Sequence, residues 1–461
     1  MGIMVESKQN LFNDKIAFSN LKELRVWDCN NIKYLLSSVM ARNLVQLNRL
    51  WVWGCENIEV VIVNDEESGG GGSKAILFEK LESLEFRDLP NVKKICEGDG
   101  IECPLLSLLV IRGCPKVKEF ISNSMCTSAC IVSEEMSIVE ASRQSFFNDK
   151  VIFPNLKELE IDLSEAVNEI FEIMSSQSSS IISTFPRLSD LSVTCISRNK
   201  PIALSDFMLF LHKYHNIHTL QFRGSFVDGQ QQQPQPGDEL INNTSLMKLR
   251  IYSAHKLNHL FGDPEYAQPS HTILFQNLKS LSVGGCSKLQ SFAPSFMSFH
   301  KLETLSVSDC DGLTYLFSSS TAVTLVQLKE ISISSCRRMR EVINRDYYNH
   351  DEKSQIEAEI EHHHFVFHTL QRLQLYHLPS LQSFYSGNKV MSFPNLQQLS
   401  LANCPMIRRF SHGVINTSAS LKTIMVDYKK VEIWERDFNT TARRLWKEMD
   451  DDDDQHCQVN A

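Results

Sequence analysis

The sequence predicts an α/β solenoid, a horseshoe of about 14 stacked repeats with a parallel concave β-sheet. Three observations predict it. One pattern of eighteen positions, F-x-x-L-x-x-L-x-V-x-x-C-x-x-I-x-x-L, recurs along the chain. Its apolar pair at positions seven and nine alternates with polar residues, which is the period-two signature of a strand. Its later apolar positions fall three apart and predict a short 3₁₀ or helical return. A unit of this kind cannot bury its own apolar face and must stack on copies of itself.

The pattern is set by Phe18, Leu21, Leu24, Val26, Cys29, Ile32 and Leu35, and Phe275, Leu278, Leu281, Val283, Cys286, Leu289 and Phe292 repeat it slot for slot. Repeats begin near Phe18, Leu44, Phe78, Cys103, Phe153, Phe185, Tyr214, Asn243, Phe275, Phe299, Leu325, Phe367, Phe393 and Ser418. Most starts lie 24 to 34 residues apart, close to the leucine-rich-repeat period. The repeats at Phe185 and Tyr214 are degenerate, and the first loses its register near Arg198-Asn199-Lys200-Pro201.

The solenoid is expected to run over 18–433, after an N-terminal flank at 1–17. Inserts of flexible-loop composition interrupt it near 65–74, 121–152, 230–236 and 344–364. Asn439 or Thr440 can cap a short helix over 434–449 that places Leu445, Trp446 and Met449 on one side and shields the last repeat. The acidic stretch 450–461 reads as a disordered tail.

Composition narrows the function. The chain of 461 residues carries a net charge of −9, whereas nucleic-acid binders usually show a basic stripe. It has no run of eighteen apolar residues to span a membrane, and its start lacks the apolar core of a signal peptide. Seven of its 13 cysteines (Cys29, Cys55, Cys114, Cys286, Cys310, Cys336 and Cys404) share position twelve. A shared slot needs a small, weakly polar side chain in each repeat rather than a disulfide partner, so reduced thiols and a cytoplasmic location are expected. Where the chain bends after the strand, a thiol can bond backbone groups otherwise buried unpaired. Leu89 and Leu378 take this slot in two Leu-Pro repeats, which must satisfy the turn differently.

No motif promises chemistry. Ser68 to Ala75 is glycine-rich but lacks the glycines and the hydroxyl that a phosphate-binding loop needs around its lysine. His362, His363 and His364 are consecutive and cannot easily converge on one ion. No nucleophile constellation is visible. The expectation is a protein with no catalytic residues, no cofactor and no metal.

The residues flanking the buried strand pair, at positions eight, ten and eleven, are expected to face the concave side. Trp, Tyr and Arg dominate interface hot spots, which selects Arg25, Trp27, Trp51, Trp53, Arg87, Arg112, Arg250, Tyr252, Tyr376 and His377 as candidate partner-binding residues. The alternative for the three tryptophans is packing against the N-terminal flank or a preceding domain.

Units such as Phe18-Ser19-Asn20-Leu21-Lys22-Glu23-Leu24 and Phe393-Pro394-Asn395-Leu396, and endings such as Cys404-Pro405-Met406-Ile407 and Leu89-Pro90-Asn91-Val92, resemble one family. It is the leucine-rich-repeat region of plant nucleotide-binding disease resistance proteins of the coiled-coil type. The resemblance covers roughly 18 to 449, and Trp434 to Thr441 is similar to that family's post-repeat end. It implies a non-enzymatic recognition scaffold whose partner is a protein: a pathogen effector, a guarded host protein, or a nucleotide-binding switch domain in cis or trans. The sequence has no phosphate loop, so ATP binding does not carry over. Alternatives are a substrate adaptor of a ubiquitin ligase, or a truncated receptor fragment without independent activity.

Overall fold

The computed structural model describes residues 18–64, 75–98, 100–121, 147, 151–163, 185–195, 202–203, 216–228, 245–261, 276–293, 297–345, 364–407, 409–417, 421, 423–426 and 429–431. The chain divides into two compact units, 1–200 and 201–461.

In the first unit the principal sheet contains the strands Glu23–Trp27, Arg49–Trp53, Ser83–Arg87, Leu108–Arg112, Glu158–Leu163 and Asp190–Cys195, in that order and all parallel. Within the second unit the strands Thr219–Gly224, Lys248–Tyr252, Ser280–Gly284, Thr304–Ser308, Glu330–Ser334, Arg372–Tyr376, Gln398–Ala402 and Thr423–Val426 pair in that order, also parallel. Lys429–Val431 closes its edge antiparallel. Each of the fourteen parallel strands begins five residues after one of the repeat starts read from the sequence, the two degenerate repeats included. The architecture is an α/β leucine-rich-repeat solenoid.

Alternation decides which face of each strand is buried. Glu23–Trp27 buries Leu24 and Val26 and exposes Glu23, Arg25 and Trp27. The partner rows run in register, so Leu24 lies beside Leu50 and Val26 beside Val52. Truncating one of these leucines would cost about 2–5 kcal/mol. Phenylalanines fill the layer behind the strands. Phe120 meets Phe153 edge-on at 5.5 Å, and Phe367 stacks on Phe393 at 5.2 Å.

The returns begin with single 3₁₀-type turns, as where the Leu313 N–H donates to the Cys310 carbonyl at 3.2 Å, but these do not extend into the longer segments expected. Among the described residues two short helices occur, Ser38–Asn43 and Ser319–Ala322, each capped by the hydroxyl of the preceding serine. The returns also carry short strands, such as Tyr34–Ser37, Val60–Val63, Lys94–Cys96 and Glu119–Ile121, which pair in parallel into a second sheet. The run Val60-Val61-Ile62-Val63 is β-branched throughout, and such residues favour extended backbone. The spacing of three records which residues point inward but does not dictate a helix.

Position eleven ends the strand in a left-handed turn. Asp28, Gly54, Asp88, Gly113, Ser253, Gly285, Asp309, Ser335, His377 and Asn403 occupy it, all with φ between 52° and 67°. Gly and short polar residues tolerate this region best. The turn's N–H reaches the next repeat: Asp28 donates to the Trp53 carbonyl at 3.0 Å and Ser253 to that of Gly284 at 2.7 Å. The cysteine slot finishes the job. All seven position-twelve thiols donate to the carbonyl two residues back, with Cys310 to Ser308 at 3.2 Å as the shortest. The Cys29 N–H in turn donates to the Cys55 sulfur at 3.4 Å. In the Leu-Pro repeats the main chain substitutes, with Leu89 and Leu378 donating their N–H to Gly113 and Asn403 carbonyls. The ten described cysteines are free thiols. Burial pushes Cys96 and Cys114 up to about 12. The thiols of Cys286 and Cys336, and then burial, raise Cys310.

The expected insert near 121–152 is trimmed at both ends. Ile121 lies in the Glu119–Ile121 strand and Val151–Ile152 pairs with Ile101–Glu102. Phe147 is buried, edge-on to Phe185 at 5.0 Å. The rest of the insert near 121–152, the inserts at 65–74 and 230–236, the core of 344–364, the flank at 1–17, the capping helix at 434–449 and the tail at 450–461 lie outside the described residues. No helix among the described residues is long and apolar enough to cross a membrane.

Candidate functional site

The first unit gathers six of the ten candidates on the open face of its principal sheet. The register sets Arg25, Trp51 and Glu85 in one row and Trp27, Trp53, Arg87 and Arg112 in the next. Trp27 and Trp53 are 61% and 59% exposed, unusually open for indoles. Trp53 is aimed by its Nε1–H, which donates to Asp88 Oδ2 at 2.9 Å. Trp51 is half-buried. Its Nε1–H donates to Ser83 Oγ at 3.2 Å, and the Arg25 guanidinium lies 4.2 Å above its ring centroid. That stack is a cation–π contact.

Ion pairs organise the rest of this face. Glu23 takes Arg25 at 2.9 Å and Arg49 at 3.1 Å. Arg87 pairs with Glu85 at 3.1 Å and reaches Glu160 at 3.7 Å, while Arg112 meets Glu160 at 3.2 Å. These pairs are part-exposed, and such pairs contribute about 0–1 kcal/mol each, so they orient the guanidiniums more than they hold the fold. The Asp162 carboxylate accepts the Gly113 N–H. Burial, the largest influence, raises its pKa, and the Gly113 hydrogen bond opposes that.

The second unit presents two separate pairs. Arg250 and Tyr252 share the strand Lys248–Tyr252. Tyr376 ends the strand Arg372–Tyr376, where Gln374 Nε2 donates to its hydroxyl at 3.4 Å. Three strands lie between them, with exposed Ser306 and half-buried Ser282, Ser308, Ser332 and Ser334 at their outward positions. The Tyr252 ring leans over Gly284, where an added Cβ would stand 3.0 Å from it. His377 is not on the strand. It sits at the left-handed turn with φ 53°, beside the Asn403 amide at 2.9 Å. The ten candidates therefore form one cluster of six in the first unit and two pairs in the second.

Position six also faces outward. Glu23 and Arg49, and Glu330 and Arg372 at 2.7 Å, form cross-strand pairs there. The alternation that selected positions eight and ten covers position six too, and only charge pairing across the register distinguishes it. On the turn side, Lys33, Lys93 and Lys116 surround Glu59, whose pKa the Lys93 hydrogen bond lowers. The neighbouring Asn57 and Asn91 amides bond main-chain carbonyls of the preceding repeat. Among the described residues no group of three or more His, Cys, Asp or Glu is placed to hold a metal. His362 and His363 lie outside them.

The sequence pattern of "Plant disease resistance protein RPS2-like, leucine-rich repeats" matches residues 4–138 and 292–430, well over half of the chain. A probable disease resistance protein of Arabidopsis thaliana is 28% identical over 138 residues, which is 30% of this chain and 14% of that protein. A second from the same plant is 34% identical over 131 residues, 28% of this chain and 13% of its own length. The chain thus matches only a small part of these curated relatives. Among solved structures, a TLR13–ssRNA13 complex shares 12% identity, covering 90% of this chain and 74% of that one, with a TM-score of 0.24. That score is too low to bear on fold or function.

Proposed function

Because this chain belongs to the RPS2-like leucine-rich repeats of plant disease resistance proteins, we propose that it is a non-enzymatic recognition scaffold of plant immune defence. Its partner is a protein, either a pathogen effector or a guarded host protein. The observation that carries this reading is the pair of open indoles, Trp27 and Trp53, on adjacent strands beside the Arg25–Trp51 stack. A sheet that only had to stack would carry small polar residues at these outward positions, as the second unit does with its serines. Each Trp offers about 150–250 Å² for burial. Strand placement has already removed most of the ordering cost that flexible loops incur on binding. A switch domain supplied in cis or trans would use the same chemistry.

The test is capture. The chain is used as bait in extracts of challenged and unchallenged leaf, beside Trp27→Ser/Trp53→Ser with matching far-UV circular dichroism. A protein retained by the parent chain and lost with the double variant supports the reading. Equal retention by both moves recognition off this face.

A further inference from the structure

We propose that the Trp27–Trp53 edge of the first unit recognises a cationic side chain, so that the partner presents an arginine- or lysine-bearing protein segment. This deepens the reading of that face as the recognition surface and rests on it.

Three observations carry the inference. The first is an internal precedent: Arg25 already lies 4.2 Å over Trp51, in the geometry a partner's guanidinium would adopt over Trp27 or Trp53. The negative face of an indole attracts a cation held above it. The second is unspent negative charge. Asp28 and Asp88 stand at the turns that follow Trp27 and Trp53's neighbouring strand, and among the described residues neither carboxylate has an ion-pair partner. Asp88 is held beside the Trp53 ring by the indole N–H. Asp28 folds back over Gly54, where an added Cβ would run into its Oδ1. The third is that the cations on this face are already committed. Arg25 and Arg49 share Glu23, and Arg87 and Arg112 share Glu160. The two open indoles are therefore bordered by carboxylates without ion-pair partners and by paired guanidiniums. An acidic segment would have to break those pairs, whereas a basic one adds to the edge without breaking any.

The chain's net charge of −9 would attract any cationic peptide weakly, so the test must separate local from global attraction. The full chain is titrated with a ten-residue peptide carrying three arginines and with its glutamate counterpart, by calorimetry at 0.15 M salt. Two carboxylate variants of equal charge follow. Asp28→Asn/Asp88→Asn alters the edge, and Glu56→Gln/Glu79→Gln alters exposed glutamates elsewhere. The expected result is binding of the arginine peptide only, weakened about tenfold by the aspartate pair and unchanged by the glutamate pair. Trp27→Leu/Trp53→Leu, checked for native circular dichroism, is expected to weaken it about three- to tenfold. Equal weakening by both carboxylate pairs, or binding of the glutamate peptide as tightly as the arginine one, overturns the proposal. Those results would leave leaf-extract capture intact if the face binds by other chemistry. Loss of capture selectivity would instead strike the recognition reading itself.

Discussion

Adding one methyl group at position eleven should cost very different amounts in two repeats with nearly identical backbones. Gly113 and Gly285 have φ of 67° and 65°. Either alanine must hold a left-handed conformation, at about 1–2 kcal/mol. Space separates them. At Gly285 the nearest atom to the new Cβ is the Ser253 nitrogen at 3.3 Å, a tight contact that a small shift relieves. At Gly113 the Cβ would lie 2.9 Å from both the nitrogen and the Cα of Asp88, and closer still to its Oδ1. Main chain cannot swing aside as a carboxylate can, so the turn must move. It carries the Asp88 N–H bond to Arg112 at 2.8 Å and the Gly113 N–H bond to Asp162. Weakening these adds about 1–3 kcal/mol. Gly113→Ala should therefore cost about 2–5 kcal/mol and Gly285→Ala about 1–2 kcal/mol. Repeat arrays lose stability locally. The assay is thus amide hydrogen exchange of the Leu108–Arg112 and Ser280–Gly284 strands, alongside urea unfolding. Protection should fall far more in the first strand for Gly113→Ala than in the second for Gly285→Ala. Equal losses would refute the steric account.

Three more outcomes are expected. Cys310→Val removes the thiol bond to the Ser308 carbonyl, which keeps the Gly285 N–H at 2.9 Å, and should lower the urea midpoint by the equivalent of about 0.5–1.5 kcal/mol. Mild alkylation of the folded chain, read by peptide mass spectrometry, should label half-buried Cys29 before the other nine described cysteines, which are buried. At neutral pH, Asp162→Ala should cost about 1–2 kcal/mol by stranding the Gly113 N–H, whereas Asp162→Asn keeps an acceptor and should be near neutral. Asp162 has a raised folded pKa, so its charge lowers stability as pH rises from the unfolded pKa through the folded one. The Asn variant should therefore gain relative to the parent across that window in thermal melts. A relative loss there would contradict the burial argument.

The sequence revealed the strand positions because apolar alternation and the cysteine slot repeat with little drift. Even the repeat at Tyr214 keeps Ile217, Leu220 and Phe222 inward. Position eleven was legible in principle. Asp, Gly, Ser, His and Asn recur there, the residues that accept positive φ. Grouping it with the outward strand positions hid that signal and placed His377 on the sheet. The return strands were hidden for another reason: inward spacing constrains side chains, while β-branching at Val60 to Val63 chose the backbone. At the site, the tryptophans were visible from composition alone. Glu23–Arg49 and the division of the candidates between two units depended on strand register and on how the repeats cluster, which one sequence does not display.

The most direct test of the central claim places a photo-crosslinking amino acid at position 53, on the open face, and separately at position 79, on an exposed loop of the same unit. Both chains are expressed in challenged leaf and irradiated. The account predicts a discrete cross-linked protein from position 53 and none of that mass from position 79. A product from position 79 alone, with position 53 silent, would contradict recognition by this sheet.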